Sequence, residues 1–222
     1  MELTEALRRR RMVRSFADHP LDPAQVDCLL ALALRAPTAG NARGTAWVVL
    51  RGAGETATYW QHTTTPDWRA RARRWPGLSR APVVALALAS PGAYVARYAE
   101  PDKAGPATGA GRGGGNGAGA DGGSGGPALG ADPSAWPVPY WFGDAAFATM
   151  TLLLGATDEG LGACFLGSFR GEGPLLAVLG VPEGWRLFGA VLIGHPDGAD
   201  RPSASLDRPG PSAAERVHHG RW

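Results

Sequence analysis

The chain has only two cysteines among its 222 residues, and they stand far apart. Cys28 falls in a helical pattern and Cys164 in an apolar, strand-like run. This spacing does not suit the disulfide framework that holds small secreted domains together.

Long apolar runs are missing as well. Gly, Asp or Arg interrupts every candidate before it reaches about 18 residues, the length that reads as a membrane-spanning helix. Residues 1–20 also lack the apolar segment of a secretion signal. We therefore expect a cytoplasmic protein with no membrane partner.

The chain carries little net charge, formally +2, so whole-chain attraction to nucleic acid is not expected. Recognisable catalytic and metal-binding sets are absent too. No Ser, Cys or His belongs to a nucleophile set, and the pair His218 and His219 has no carboxylate or cysteine partner nearby. We assign no catalytic side chain and no metal.

The length and the 44% hydrophobic content predict one globular domain over residues 1–222. Within it, about 104–131 is predicted to be a disordered insert, because 12 of the 23 positions in 104–126 are Gly and bury no apolar surface. Gly109, Gly111 and Gly114 match the dinucleotide pattern G-x-G-x-x-G. No strand precedes them and no helix follows, so we reject that match.

Hydrophobic periodicity predicts helices that alternate with strands. Asp22 is the predicted N-cap of the first strong helix, with Pro23 at its first position, Gln25 closing a capping box and Pro37 beyond its end. Residues 141–160 form the longest predicted helix, 174–179 a short one, and 56–74 are helical in part. The predicted strands are 45–50, 82–89, 163–169 and 187–193. Residues 197–222 read as a tail that packs on a partner.

Three arginines crowd a short segment before that helix: Arg10, Arg11 and Arg14. Guanidinium groups this close repel one another unless an anion lies among them, and their paired donors match the oxygens of a phosphate. The alternative is a solvated basic face.

Two other segments have the chemistry of a ligand site. Residues 37–41 combine small residues, which allow close backbone approach, with the amide of Asn41, which suits the mixed donors and acceptors of a flavin ring edge. Gly167, at a predicted strand end, exposes a backbone N–H toward a possible acceptor nitrogen. The alternatives are an ordinary turn at 37–41 and a plain helix end with its strand at 160–169.

Taken in order, these segments resemble the nitroreductase family. The resemblance rests on Arg10-Arg11-Met12-Val13-Arg14-Ser15-Phe16, Ala36-Pro37-Thr38-Ala39-Gly40-Asn41 and the helix end from Ala156 to Cys164. It continues through Leu179-Gly180-Val181-Pro182-Glu183-Gly184, the strand at 190–194 and Asp207-Arg208-Pro209. It covers nearly the whole chain except the Gly-rich insert.

The resemblance implies an α+β fold, a three-layer sandwich whose mixed, mostly antiparallel sheet is flanked by helices. It also implies a homodimer that exchanges C-terminal tails and holds FMN at the interface, with NADH or NADPH as reductant. Arg10, Arg14 and Arg208 would hold the phosphate, with Arg11 and Met12 lining the same turn. Asn41 would face the ring, with Pro37, Thr38 and Arg43 in the same loop. The Gly167 N–H would meet ring N5, flanked by Leu166 and Ser168.

The chain departs from the family pattern at three places. Met12 replaces a frequent serine, which removes one hydroxyl contact to the cofactor. Arg43 replaces a glutamine, and a cation there would favour the anionic reduced flavin and raise its potential. The insert occupies the variable segment that roofs the substrate pocket, where Tyr59-Trp60 and the aromatics of 136–141 offer surfaces to a flat acceptor, or simply core and interface.

The implied activity is a ping-pong transfer of hydride from NAD(P)H through flavin to a small acceptor such as a quinone or nitroaromatic. Gly167-Ser168-Phe169-Arg170 also resembles flavin oxidases that desaturate a peptide or cyclic dipeptide. A flavin-fragmenting relative and a non-catalytic flavin-binding protein remain as further alternatives.

Overall fold

The computed structural model describes residues 1–71, 75–103, 128–201, 203 and 207–222. The helices in this part of the chain are α1 (Leu3–Arg9), α2 (Pro23–Ala33), α3 (Gly52–Thr63), α4 (Pro66–Arg71), α5 (Pro91–Tyr98), α6 (Tyr140–Asp158) and α7 (Glu172–Val178). The strands are β1 (Thr45–Arg51), β2 (Val83–Ala89), β3 (Gly162–Leu166) and β4 (Arg186–Gly194). Within these ranges, no helix is both long and apolar enough to cross a membrane.

The four strands form one sheet in the order β1-β2-β4-β3, and every neighbouring pair is antiparallel. A single parallel bridge, Met12 to Ala163, adds the N-terminal segment beside β3. The antiparallel sheet with flanking helices confirms the predicted α+β fold. The two central strands are almost entirely buried, as their unbroken apolar sequences require.

Helices cover both faces of the sheet, which gives three layers. On one face, Ala85 and Val191 pack with Leu29 of α2 and Leu152 of α6. On the other face, Leu86 and Leu192 pack with Tyr59 and Trp60 of α3 and Leu175 of α7. A third cluster, around Tyr94, Trp136 and Trp141, lies near the start of α6.

Helix α2 begins as predicted, because Asp22 Oδ1 accepts a hydrogen bond from the Ala24 N–H at 2.9 Å and Pro23 takes the first position. The capping box is not formed. Gln25 instead donates to Glu159 Oε2 at 3.2 Å and joins α2 to the end of α6. The helix ends at Ala33, before Pro37.

Two helices were not predicted. Ser90 caps α5 through the Ala93 N–H, and Pro91 follows it, which is the same signal as Asp22 and Pro23 at α2. Helix α1 is short and buries only Ala6. Strand β3 ends at Leu166 instead of 169, and the Phe169 side chain is 97% exposed, so the apolar letters after Leu166 belong to a loop.

Residues 104–127 of the predicted insert, including the G-x-G-x-x-G match, lie outside the described residues. Residues 128–131, which the prediction also assigned to the insert, form a turn. The carbonyl of Leu129 accepts from Trp136 Nε1 at 2.9 Å, which fixes this turn against the third cluster.

Candidate functional site

The N-terminal arginine segment lies directly beside β3. The Val13 N–H donates to the Ala163 carbonyl at 2.9 Å, and Met12 Sδ accepts from the Phe165 N–H at 3.4 Å. Arg14 Nη1 donates to the Met12 carbonyl at 3.1 Å and folds its side chain back over this turn. The segment and the strand end near Gly167 are thus neighbours, although about 150 residues separate them in sequence.

The guanidinium groups of this segment make few contacts with the rest of the described structure. Arg10 is half-buried and Arg11 exposed, and neither guanidinium group has a hydrogen-bond or ion-pair partner among the described residues. Arg14 lies over the Trp75 ring, 5.0 Å from its centroid. It lines a cavity of about 330 Å³ whose other walls include Arg80, Asp200 and Arg201. Part of this charge is already balanced, because Asp200 Oδ1 accepts from the Arg14 N–H at 2.9 Å and Arg80 is paired with Asp197 at 2.6 Å.

Cys164 lies behind this turn and is fully buried. Burial raises the pKa of its thiol to about 11, against the opposing effect of Arg14. The thiol therefore stays protonated at neutral pH, and Cys164 acts as a core residue instead of a nucleophile.

The loop of residues 38–43 has an unusual backbone. Gly40, Asn41 and Arg43 all have left-handed φ values, of 60°, 59° and 52°. Such a conformation in a residue other than glycine costs about 1 kcal/mol or more, and it persists only where the surroundings impose it. Strain of this kind concentrates at functional sites, and here it falls on the segment predicted to face a ligand.

Hydrogen bonds within the loop fix its shape. The Arg43 N–H donates to Thr38 Oγ1 at 3.0 Å, and Arg43 Nε donates to Asn41 Oδ1 at 3.1 Å. Pro37, Thr38, Asn41 and Arg43 line one cavity of about 560 Å³. The structure therefore brings together all four residues predicted in this segment.

Neighbouring helices hold the loop from outside. Asp144 Oδ2 on α6 accepts from the Ala39 N–H at 2.7 Å, and Arg97 Nε on α5 donates to the Gly40 carbonyl at 2.8 Å. The Tyr98 ring lies against Gly40, where an added Cβ would come within 2.6 Å of it. None of these anchors was predicted. The available signal was that Asp144 is an isolated carboxylate in an apolar helix.

The strand end near Gly167 opens on a third cavity, of about 360 Å³. Leu166, Gly167 and Ser168 line it together with the aromatic rings of Tyr59, Trp60 and Trp68. Gly167 is exposed, and its backbone N–H has no acceptor among the described residues. The Tyr59 hydroxyl lies 3.4 Å from Ser168 Oγ, and burial raises the pKa of Tyr59, so it stays protonated at neutral pH.

Within one chain, the predicted site residues form two groups. The arginine segment adjoins the Gly167 strand end through Met12, whereas the 38–43 loop lines its own cavity. Arg208 lies in the exposed tail, and no described contact joins it to Arg10 or Arg14. The described residues contain no cluster of three or more potential metal ligands. In the tail, the His218 ring stacks on Trp222.

The fold and these cavities define an α+β protein in which loops and strand ends line cavities around one antiparallel sheet. The nitroreductase family model matches residues 7–116 and 134–195. The chain therefore belongs to the nitroreductase family.

Known relatives agree with this assignment. A protein of Archaeoglobus fulgidus, provisionally named NADH dehydrogenase/NAD(P)H nitroreductase, is 33% identical in an alignment 97 residues long, which covers 41% of this chain and 54% of the relative. The match thus spans about half the length of that curated relative.

Two solved structures share the fold. An FMN-dependent nitroreductase from Clostridium difficile is 17% identical with a TM-score of 0.61, covering 98% of both chains. A protein from Desulfovibrio desulfuricans provisionally named a nitroreductase, solved in complex with FMN, is 20% identical with a TM-score of 0.58, covering 96% of this chain and 98% of that one.

Proposed function

We propose that this protein is an FMN-dependent oxidoreductase that accepts hydride from NADH or NADPH and reduces a small oxidised acceptor, such as a quinone or nitroaromatic. FMN would supply the redox chemistry, and the FMN-dependent nitroreductase that shares this fold supports that assignment. The observation that carries the proposal is a set of hydrogen-bond donors that have no described acceptor. They are the guanidinium groups of Arg10 and Arg11 and the backbone N–H of Gly167. The hydrogen bond from the Phe165 N–H to Met12 makes their two segments neighbours.

These donors fit the two ends of FMN. Arg10, Arg11 and Arg14 match a phosphate, which accepts several charge-assisted hydrogen bonds. The exposed Gly167 N–H suits a ring nitrogen that accepts a hydrogen bond, and Leu166 and Ser168 flank it. The 38–43 loop offers the Asn41 amide to the mixed donors and acceptors of the ring edge, with Pro37, Thr38 and Arg43 beside it.

We further propose a homodimer that brings the two groups of site residues together. Tyr140, Phe147 and Met150 on α6 are 47%, 55% and 38% exposed and lie at intervals of seven and three residues, which places them on one helix face. The exposed Leu34 lines the same cavity as Asn41 and Arg43. An apolar face of this kind marks an interface, and this one borders the candidate site.

In such a dimer, the loop of one subunit would complete the site built on the arginine segment and Gly167 of the other. The exposed tail would reach the partner and add the Arg208 guanidinium to those already at the phosphate. The free cysteines suit the reducing environment of the cytoplasm, where we place the protein.

The cofactor assignment is tested by titrating the purified protein with FMN and with riboflavin, which lacks the phosphate. Replacing Arg10 or Arg14 by Gln removes a charge-assisted contact of about 1.5–3 kcal/mol, so FMN affinity should fall at least about tenfold. Riboflavin affinity should stay unchanged in both variants. Arg9→Gln, at the exposed end of α1, is the matched control and should bind FMN like the wild type.

Turnover is tested separately, by NAD(P)H oxidation with a quinone or nitroaromatic. Parallel double-reciprocal plots would support the ping-pong cycle. A yellow protein without this activity would favour a desaturating oxidase or a non-catalytic flavin-binding protein, which a peptide substrate screen tells apart. A protein that is colourless after incubation with FMN and removal of the unbound cofactor would overturn the proposal.

A further inference from the structure

We propose that Asp144, together with Tyr94, is a positioning residue that holds the 38–43 loop in the strained conformation that cofactor binding requires. The inference rests on the proposed function, because it assigns the loop to the cofactor. It concerns the one carboxylate that meets the loop backbone from α6 among the described residues.

Asp144 is buried, with 4% of its surface exposed, and Oδ2 receives two strong donors. The Ala39 N–H donates to it at 2.7 Å and the Tyr94 hydroxyl at 2.6 Å. A buried carboxylate is costly unless it is hydrogen-bonded, and these bonds meet that need. Tyr94 is fully buried, and burial together with Asp144 raises the pKa of its hydroxyl, which keeps it a donor.

The anchored amide lies where the strain begins. Ala39 immediately precedes Gly40 and Asn41, the first two residues with left-handed φ values. Removing the acceptor would leave the Ala39 N–H unpaired and free the loop to relax toward ordinary backbone angles. On its other side, the loop keeps the bond from Arg97 to the Gly40 carbonyl, so it would loosen without detaching.

The anchor also lies at the cavity itself, since Asp144 lines the same space as Thr38, Asn41 and Arg43. A loop fixed before the ligand arrives binds it without a further loss of conformational entropy. Asp144 would therefore act on affinity through the backbone of Ala39, while Asn41 and Arg43 make the contacts.

The test combines two measurements on the full-length wild type and on Asp144→Ala, Asp144→Asn and Tyr94→Phe. Hydrogen–deuterium exchange of the amides at 39–43, without FMN, reports how firmly the loop is held. Quenching of FMN fluorescence gives the dissociation constant. Thr149→Ala is the matched control, because Thr149 is a buried polar residue of α6 whose hydroxyl has no partner in the described structure.

We expect faster exchange at 39–43 and a dissociation constant raised by roughly tenfold or more in Asp144→Ala. Asp144→Asn should lie between Ala and wild type, because an amide oxygen can accept from both Ala39 and Tyr94 but lacks the negative charge that strengthens these bonds. Tyr94→Phe keeps the packing and removes one donor, so its effect should be smaller. The Thr149→Ala control should match the wild type in both measurements.

Unchanged exchange and FMN affinity in both Asp144→Ala and Tyr94→Phe would overturn the inference. If the wild type binds no FMN, the proposed function fails, and with it the role in cofactor binding. The exchange experiment would then still decide whether Asp144 orders the loop. The failure of one proposal is therefore distinguishable from the failure of the other.

Discussion

Arg43 combines a left-handed backbone with a side chain that is hydrogen-bonded within the loop. Its backbone is left-handed, and its guanidinium is held beside the Asn41 amide by the bond from Nε to Oδ1. The side chain is exposed in the cavity that contains Pro37, Thr38 and Asn41. In the proposed complex, its charge would lie near the flavin ring, where a cation would stabilise added negative charge.

Replacing Arg43 by Ala should lower the midpoint potential of the bound FMN. We expect a change of roughly 30 mV, which corresponds to about 1.4 kcal/mol for a two-electron couple. Spectroelectrochemical titration measures it. Arg43→Lys keeps the charge and should retain most of the wild-type potential, whereas an unchanged potential in Arg43→Ala would show that the charge does not reach the ring.

At this scale, the sequence predicted the residues that carry ligand chemistry but not the residues that hold them. Pro37, Thr38, Asn41 and Arg43 could be found because they form one contiguous motif. Asp144 and Arg97 reach the loop from helices far away in sequence, and only the fold brings them to it.

Asp197 lies just after the end of β4 and connects this strand to the arginine segment by hydrogen bonds. Its Oδ2 accepts from Ser15 Oγ at 2.7 Å and from Arg80 Nη2 at 2.6 Å. The Ala199 N–H donates to Oδ1 at 2.8 Å. These bonds fasten the end of the sheet to the residue that follows Arg14.

The hydrogen bond from Ser15, the Ala199 N–H and Arg80 hold the pKa of Asp197 below its ordinary value of 3.8. The folded state therefore gains stability from the ionised carboxylate above about pH 4, and loses it as the pH falls through the lower folded-state pKa. Urea unfolding measures this as a difference in the free energy of unfolding between wild type and Asp197→Asn. The difference should be constant from pH 7 to about pH 4 and should become smaller below that pH.

Asp18→Asn, an exposed aspartate nearby, is the matched control for that titration. If the difference in the free energy of unfolding between wild type and Asp197→Asn stays constant down to the acid transition, the lowered pKa of Asp197 is contradicted. Such a result would mean that Asp197 is not stabilised as an anion in the folded protein.

Element prediction succeeded where one pattern dominated. Strand β2 is a continuous apolar run and α6 a long proline-free one, and both lie where predicted to within one or two residues. Prediction failed at β3, where the apolar letters run on past the last paired residue, and at α5, which is only eight residues long. The start signal of α5, Ser90 and Pro91, is present in the sequence, but a helix this short is stabilised mainly by packing, so the signal alone did not predict it.

For the whole molecule, the central expectation is the proposed dimer. Phe147→Asp places a charge in the middle of the exposed apolar face of α6, so the dimer should weaken by about 2 kcal/mol, or roughly thirtyfold in dissociation constant. Analytical ultracentrifugation over a range of concentrations measures this. FMN affinity should fall with it, since the proposed site needs both subunits.

Val178→Asp is the control for this experiment. Val178 is 59% exposed on α7, which covers the opposite face of the sheet from α6. It should leave the association unchanged. A wild type that is monomeric at all concentrations would contradict the dimer.

The family could be inferred from sequence because its motifs occur in a fixed order along the chain. The separation of the two groups of site residues within one chain could not be inferred from sequence, because the fold decides which cavity each group lines.

Strand β1 has a further consequence for the solution behaviour of the protein. It pairs with β2 on one side only, and no described residue pairs with its other edge. Its sequence, Thr45-Ala46-Trp47-Val48-Val49-Leu50-Arg51, is apolar and rich in β-branched residues, which is the composition of an aggregation-prone segment. Left unpaired, this edge would be a template for aberrant self-association. In the proposed dimer, pairing of the partner's exchanged tail with this edge would protect solubility as well as complete the site.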